Sequence, residues 1–370
     1  MGLLSMRFAV QIGLVVYGAL SQISGGYLYD RQMVAELEDR GYLIDVIDLP
    51  IRPYPSSLID NFRPAVLNRL SSMEADIVIE DELCHPSLVW QRRSGRANSR
   101  TRVALVHHLR HLESHPAPLR SFYRVVERSY LGSVDGVICT SRASRRAVER
   151  TVGGKIPAAV AYPGRDHLAP NITKDEIQQR ATQGGPLRVL FVGSITRRKR
   201  PQLLIDALSQ LPAGSWRLEI VGRTDAEPDM YRCLQRRIAG DPALAQAIHL
   251  HGEVGEQQLI EYYRQADVLC VPSQLEGFGI VYLEAMGFGL PVLAAANGGA
   301  GELVESGISG HLIDGDDPHE LAHYLEGYWQ DRDHLLAHSL AARSRWEQQP
   351  DWGDSATVIT DFLSDLLEGG

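Results

Sequence analysis

The sequence predicts an α/β protein made of two Rossmann-like doubly wound domains that face each other across a cleft. Three observations lead there. The chain has 370 residues, too many for one ordinary hydrophobic core. Short apolar runs alternate with helical patterns in two successive series, the signature of parallel sheets covered by helices. Between the series, the segment Pro163–Pro186 carries PGRD, a polar stretch and GGP, which breaks the rhythm as a linker does.

In the first series the predicted strands are Arg7–Ile12, Leu43–Ile47, Asp76–Ile79, Arg102–Val106, Gly136–Cys139 and Ala158–Ala161. Helical patterns separate them near 26–40, 58–72, 119–131 and 142–150. In the second series the strands are Leu187–Val192, Arg217–Val221, Ala247–Leu250, Asp267–Val271, Pro291–Ala294 and His311–Ile313. Helices are expected near 199–210, 229–239, 256–265, 279–289, 299–306 and 318–330. The tail holds one more amphipathic helix, TVITDFLSDLL. The expected domains are therefore 1–163, a linker 164–186, 187–345, and a C-terminal helix within 346–370 that packs back on the first domain. Open parallel sheets take ligands at the carboxyl ends of their strands, so the cleft is the expected binding site.

Bulk composition narrows the classes. Hydrophobic residues at 44% and charged residues at 22% describe a globular protein, not a disordered or fibrous one. The four cysteines are scattered, which argues against a disulfide framework or a CxxC metal site and favours a reducing cytosol. Residues 1–165 hold 21 Lys and Arg against 16 Asp and Glu, and the remainder holds 16 against 30. Such asymmetry fits a first domain that meets an anionic partner, and equally an uneven surface with none. The run FAVQIGLVVYGAL after Arg7 is read as a first strand and not a signal peptide, because it flows directly into a strand–turn–helix. MGLLSM lacks the Ser or Thr of a myristoylation site at Met6. No apolar run reaches the roughly 18 residues of a spanning helix.

The stretch Pro272–Pro291, PSQLEGFGIVYLEAMGFGLP, concentrates the chemistry. A buried strand ends at Val271, Gly277-Phe278-Gly279 makes a turn, and a helix follows. That order aims backbone N–H groups and a positive helix end at a phosphate. Glu276 precedes the glycines and Glu284 lies about one turn into the helix. Anion donors flanked by acceptor-only carboxylates suit a ligand that is phosphate at one point and polyhydroxyl at another, as a sugar nucleotide is.

The run EGFGIVYLE resembles the E-x7-E signature of retaining glycosyltransferases of family 4, which have the GT-B fold. FVGSITRRKRPQLLIDAL, VGR, HLHGEV, ADVLCVPS and GLPVLAAANGGAGELV follow in that family's order, and PGRD resembles its linker opening. The likeness is close over about 186–315 and looser before it. It implies that Glu284 accepts hydrogen bonds from the ribose and Glu276 from the donor sugar. It further implies that the amides of Phe278, Gly279 and Ile280 hold the diphosphate, and that Lys199 neutralises the leaving phosphate. Gly222 and Val254 fall in donor-side segments, with base recognition expected on backbone near Gly252–Val254. The family often has Arg after the glycine of the first loop. Here Gly193 is followed by Ser194, so Arg198 or Arg197 is expected to supply the second positive charge. Cations at a helix start oppose the macrodipole, which favours a functional reading of this run over a solvated one.

In the first half, Gly25-Gly26 opens a helix and resembles the family's Gly-Gly loop, where backbone approaches diphosphate or acceptor; a plain turn is the alternative. The cluster HHLRHLESH follows a strand. His107, then His108, best resembles the family histidine that faces the donor sugar, while zinc ligation and ordinary loop histidines are the other readings of the cluster. Glu80, Asp81 and Glu82 either line the acceptor side or form a solvated turn. Two helices carry basic faces: Arg120, Arg124 and Arg128 beside Phe122, Tyr123, Val125 and Val126, and Arg142, Arg145, Arg146 and Arg150. These suit an anionic membrane surface or plain solvent.

The resemblance implies a retaining, metal-independent hexosyltransferase without cofactor. It would use a nucleoside diphosphate sugar, a UDP- or GDP-sugar being favoured, and a hydroxyl acceptor such as a lipid, glycolipid or glycan. The expected location is cytoplasmic, with possible contact to the inner membrane face, and no nucleic acid is expected. The competing readings are a non-catalytic sugar-nucleotide sensor and a GT-B phosphorylase or hydrolase. A dinucleotide dehydrogenase is disfavoured because no GxGxxG follows a strand.

Overall fold

The computed structural model describes residues 10–91 and 100–369. Two compact units divide the chain: 1–163 with 352–370, and 164–351. The first unit holds strands β1 (Gln11–Tyr17), β2 (Leu43–Leu49), β3 (Ile77–Asp81), β4 (Thr101–Val106), β5 (Gly136–Cys139) and β6 (Ala158–Val160). All pair in parallel, in the order β2-β1-β3-β4-β5-β6. The second unit holds β7 (Leu187–Val192), β8 (Trp216–Val221), β9 (Ile248–Gly252), β10 (Val268–Val271), β11 (Val292–Ala295) and β12 (Gly310–Ile313). Its order, β12-β11-β10-β7-β8-β9, is again wholly parallel. Each unit is thus a six-stranded parallel α/β sheet.

Parallel strands need crossover helices on both faces, which is why their sequences read as continuous apolar runs. Val268–Val271 and Val292–Ala294 are fully buried, as are Ile77 and Val103–Val106. Strand order reverses between β1 and β3 in the first unit and between β7 and β10 in the second. At such switch points adjacent crossovers leave on opposite faces, opening a crevice at the strands' carboxyl ends.

Several elements depart from the sequence reading. The first strand, expected at Arg7–Ile12, runs Gln11–Tyr17, and Arg7 itself lies outside the described residues. The helix expected over 58–72 is three pieces, Tyr54–Ile59, Asp60–Phe62 and Pro64–Ser72. Pro64 ends the preceding turn because it has no N–H and forces Arg63 into extended backbone (φ −80°, ψ 120°). The segment expected as a linker contains a helix, Lys174–Thr182, opened by a reciprocal capping box between Thr173 and Glu176. Arg180 on that helix is buried and donates to Phe288 O at 2.8 Å and Gly289 O at 2.7 Å, so the helix belongs to the second unit. A helix at Arg332–Glu347 runs across the boundary expected at 345. The one expected over 299–306 is a single 3-10 turn, Ala300–Glu302. The helix Trp352–Glu368 packs on the first unit, where Trp352 meets Tyr29 edge-on at 5.3 Å.

Candidate active site

In the second unit the site grows from the loops after β7 and β10, the two strands that flank the reversal. After β7, Gly193 takes φ 149°, a backbone conformation that residues with a Cβ rarely adopt, and the Lys199 stem lies beside it. Gly222, after β8, approaches so closely that a Cβ would stand 2.1 Å from Gly193 O. The role of Gly222 in this structure is to let two loops meet. Val254 lies half-buried after β9.

Lys199 Nζ donates to Glu276 Oε1 at 2.6 Å, and Arg198 Nη1 donates to Leu275 O at 2.6 Å with Glu276 Oε1 at 3.4 Å. Gln274 N donates to Arg198 O at 2.8 Å, tying the two loops by backbone as well. Arg197 turns away: its side chain is 80% exposed and lies 3.7 Å from Glu227. Of the two arginines the sequence left open, Arg198 is the one beside Glu276. Burial alone would raise the Glu276 carboxyl, but Lys199 and Arg198 outweigh it and hold the group down at about 2. Burial lowers the Lys199 ammonium, and Glu276 opposes that shift. At neutral pH the site is a compact ion cluster with two cations on one carboxylate.

The loop bearing Glu276 is held from its far side by Gly298-Gly299. Gly299 N donates to Glu276 O at 2.8 Å, and a Cβ on Gly298 (φ 88°) would sit 2.0 Å from the same carbonyl. Gly279 caps the next helix, Ile280–Gly287, in left-handed backbone (φ 95°). A Cβ there would meet the Tyr282 ring at 2.2 Å, so glycine is required. A helix leaves the amides of its first turn without intrahelical acceptors; here those belong to Gly279, Ile280 and Val281, beside buried Phe278. Glu284, one turn on, accepts from Tyr263 Oη at 2.7 Å and faces His167 Nε2 at 3.1 Å. It lines a pocket with Ile280, Leu283, His167, Arg165 and Trp346.

The first unit gathers a second set. His107 follows β4, with Nε2 3.3 Å from Asp30 Oδ1 on the helix Gly25–Asp39. Its backbone N–H donates to Glu82. Gly25 and Gly26 are that helix's first two residues, capped by Ser24, and a Cβ on Gly26 would lie 3.5 Å from the His107 ring. Burial disfavours the His107 cation, but Asp30, Glu82 and Asp81 overcome it and raise the imidazole to about 9. Burial and then the Asp30 charge push Asp81 up to about 7, and burial lifts Glu82 well above its ordinary range. One cationic imidazole thus sits among carboxyl groups that compete for protons.

The acidic run is buried and is not a solvated turn, while each histidine of the cluster meets a carboxylate, and one ligand atom each from Asp30, Asp81 and His107 lie within 4.8 Å of one another. Glu80 is buried against Arg102 at 2.8 and 2.9 Å, and Asp81 and Glu82 are buried too. His108 pairs with Glu113 at 2.9 Å, His111 with Glu127 at 2.6 Å, and His115 with Glu113 at 3.4 Å. Sequence reasoning missed Asp30, His167, Tyr263 and Gly298. The glycine pair NGG after a strand was the visible signal for the last; the others meet their partners only through the fold.

A parallel sheet of order 3-2-1-4-5-6, with glycine turns, a helix start and paired charges at its reversal, defines a Rossmann-like α/β domain. Residues 173–345 match the family described as "Glycosyl transferases group 1". Among curated relatives, the D-inositol 3-phosphate glycosyltransferase of Xylanimonas cellulosilytica is 30% identical over 251 residues, covering 64% of this chain and 58% of that protein. The protein of the same name from Thermobifida fusca is 32% identical, covering 54% of this chain and 49% of its own length. The chain therefore spans about half the length of the curated relatives it matches. Among solved structures, sucrose-phosphate synthase from Thermosynechococcus elongatus shares the fold with a TM-score of 0.82 at 21% identity, over 98% of this chain and all of that one. Anabaena Alr3699/HepE, solved in complex with UDP-glucose, gives 0.78 at 22%, over 96% and 99% of the two chains.

Proposed function

We propose that this protein is a retaining glycosyltransferase that moves a hexose from a nucleoside diphosphate sugar, a UDP- or GDP-sugar, to a hydroxyl acceptor. The observation that carries this reading is the Glu276–Lys199–Arg198 cluster at the strand reversal, next to the helix start at Ile280. The names of the relatives and the UDP-glucose complex of the neighbour support it.

In this reading Lys199, Arg198 and the amides of Phe278, Gly279 and Ile280 take the charge that develops on the leaving diphosphate. Fixed charges in a dry site stabilise such a leaving group without reorganising, so no metal ion is needed. Glu276, ionised because its cations hold it so, accepts a hydrogen bond from a sugar hydroxyl. Glu284 accepts from the ribose, its orientation held by Tyr263 and His167. The base meets backbone near Gly252–Val254. No carboxylate is assigned as a covalent nucleophile, so the acceptor attacks from the side the diphosphate leaves, and a leaving-group oxygen takes its proton. In the first unit, the His107 imidazolium donates to a substrate oxygen, with Gly25, Gly26 and His108 lining the acceptor side. The acceptor is a lipid or glycan hydroxyl, met in the cytoplasm or at a membrane face.

The test is nucleoside diphosphate release from UDP-, GDP- and ADP-sugars, with and without hydroxyl acceptors, inositol phosphate included. Acceptor-dependent release with one donor, lost about 100-fold or more in Glu276→Ala, is expected. Full turnover by Glu276→Ala would remove the assignment, and release that ignores acceptor would make the protein a hydrolase.

A further inference from the structure

Three histidines of the second unit take no part in the chemistry described so far. His311 stands on β12, while His334 and His338 lie four residues apart on the helix Arg332–Glu347 and so share one of its faces. One ring nitrogen from each, taken together, all lie within 4.8 Å of one another. His334 Nε2 and His338 Nε2 are 3.1 Å apart. Two imidazoles on one tetrahedral zinc, at ~2.0–2.1 Å each, place their nitrogens about 3.3 Å apart. The pair already stands near that spacing.

His311 Nε2 is buried and has no hydrogen-bond partner among the described residues. Buried polar atoms are nearly always paired, so this nitrogen calls for a ligand. Its ring is fixed by stacking on Tyr324, with centroids 3.8 Å apart and planes 12° from parallel. His338 meets the Tyr328 hydroxyl through Nδ1 at 2.8 Å, which leaves Nε2 facing the cluster. A ligating histidine commonly hydrogen-bonds through its other nitrogen in this way. The Gly307 backbone also faces His338.

We propose that His311, His334 and His338 bind a divalent transition-metal ion, zinc above all, through three imidazole nitrogens with water in the fourth position. Zinc, cobalt and nickel suit imidazole donors, whereas magnesium and calcium want oxygen. The ion ties β12 to the helix Arg332–Glu347 and keeps one position open. This site is independent of the proposed sugar transfer.

The experiment uses the full chain purified without a histidine tag. It is dialysed against Zn²⁺ alone and its metal counted by mass spectrometry, and Co²⁺ uptake is followed by visible absorption. One ion per chain with tetrahedral cobalt bands is expected, bound at least tenfold more weakly by His334→Ala and about tenfold more weakly by Tyr328→Phe. Tyr328→Phe keeps the ring packing, so its effect does not depend on a variant that misfolds. A wild-type chain that retains no zinc, or equal retention by wild type, His334→Ala and His338→Ala, would overturn the proposal. Donor-sugar turnover in His334→Ala should match wild type, so failure here is separate from failure of the glycosyltransferase reading.

Discussion

Glu276 and Lys199 form a pair whose value depends on both members being present. Each is largely removed from water, with side chains 12% exposed, and deleting Glu276 takes from Lys199 and Arg198 the carboxylate they share. Glu276→Gln should therefore destabilise the chain by about 3 kcal/mol. The double variant Glu276→Gln with Lys199→Met should recover part of that loss, because both charges leave together. Urea unfolding of the two singles and the double measures the coupling, and additive losses would refute it. The positions of Glu276, Glu284 and Lys199 were legible because each sits in a local pattern of strand, glycine turn and helix. Asp30, His167 and Tyr263 were not, since they meet His107 and Glu284 across 77, 117 and 21 residues of chain. No local pattern distinguishes those three from ordinary helix or loop residues.

Glycine geometry sets the elements around the site more tightly than helix or strand propensity does. At Gly298 the backbone is left-handed (φ 88°) and in contact with Glu276 O. Gly298→Ala must shift this loop or the one bearing Glu276. We expect about a 100-fold loss of donor turnover, the usual consequence of misplacing a catalytic group by an ångström. Steady-state kinetics would show it, and wild-type kcat in Gly298→Ala would contradict it. The same contacts explain why the helix expected over 299–306 is only a 3-10 turn: residues 298 and 299 are committed to pairing with Glu276. Propensity arguments also placed a linker where Lys174–Thr182 is a helix. The polar composition of that segment hid two long-range anchors, Ile177 packed against Gly289 and Arg180 bound to the carbonyls that end the helix Ile280–Gly287.

Across the whole molecule, charge and apolar exposure are unevenly spread. The first 165 residues are basic overall and the rest acidic. On the helix Ala117–Leu131, Arg120, Arg124 and Arg128 are exposed beside Leu119, Phe122 and Val125, the last 68% exposed. Apolar side chains flanked by cations suit an anionic bilayer surface. Among the described residues no helix is long and apolar enough to cross a membrane. The chain should therefore float with vesicles containing phosphatidylserine at low salt and be released at about 0.5 M salt. Replacing Arg120, Arg124 and Arg128 together by Ser should abolish flotation, and binding indifferent to salt or to those changes would exclude this surface.

The sequence by itself determined the two parallel α/β sheets, because strands buried on both faces must be apolar throughout and that run survives any detail of packing. It also determined which loop carries the ionised glutamate and the helix start, because both follow from residues adjacent in the chain. Only the tertiary structure decided that Arg198 and not Arg197 turns toward Glu276, that Asp30 holds His107, and that His311 meets His334 and His338. Those choices depend on which strand ends lie side by side, and strand order is set by crossover packing between residues far apart in the sequence.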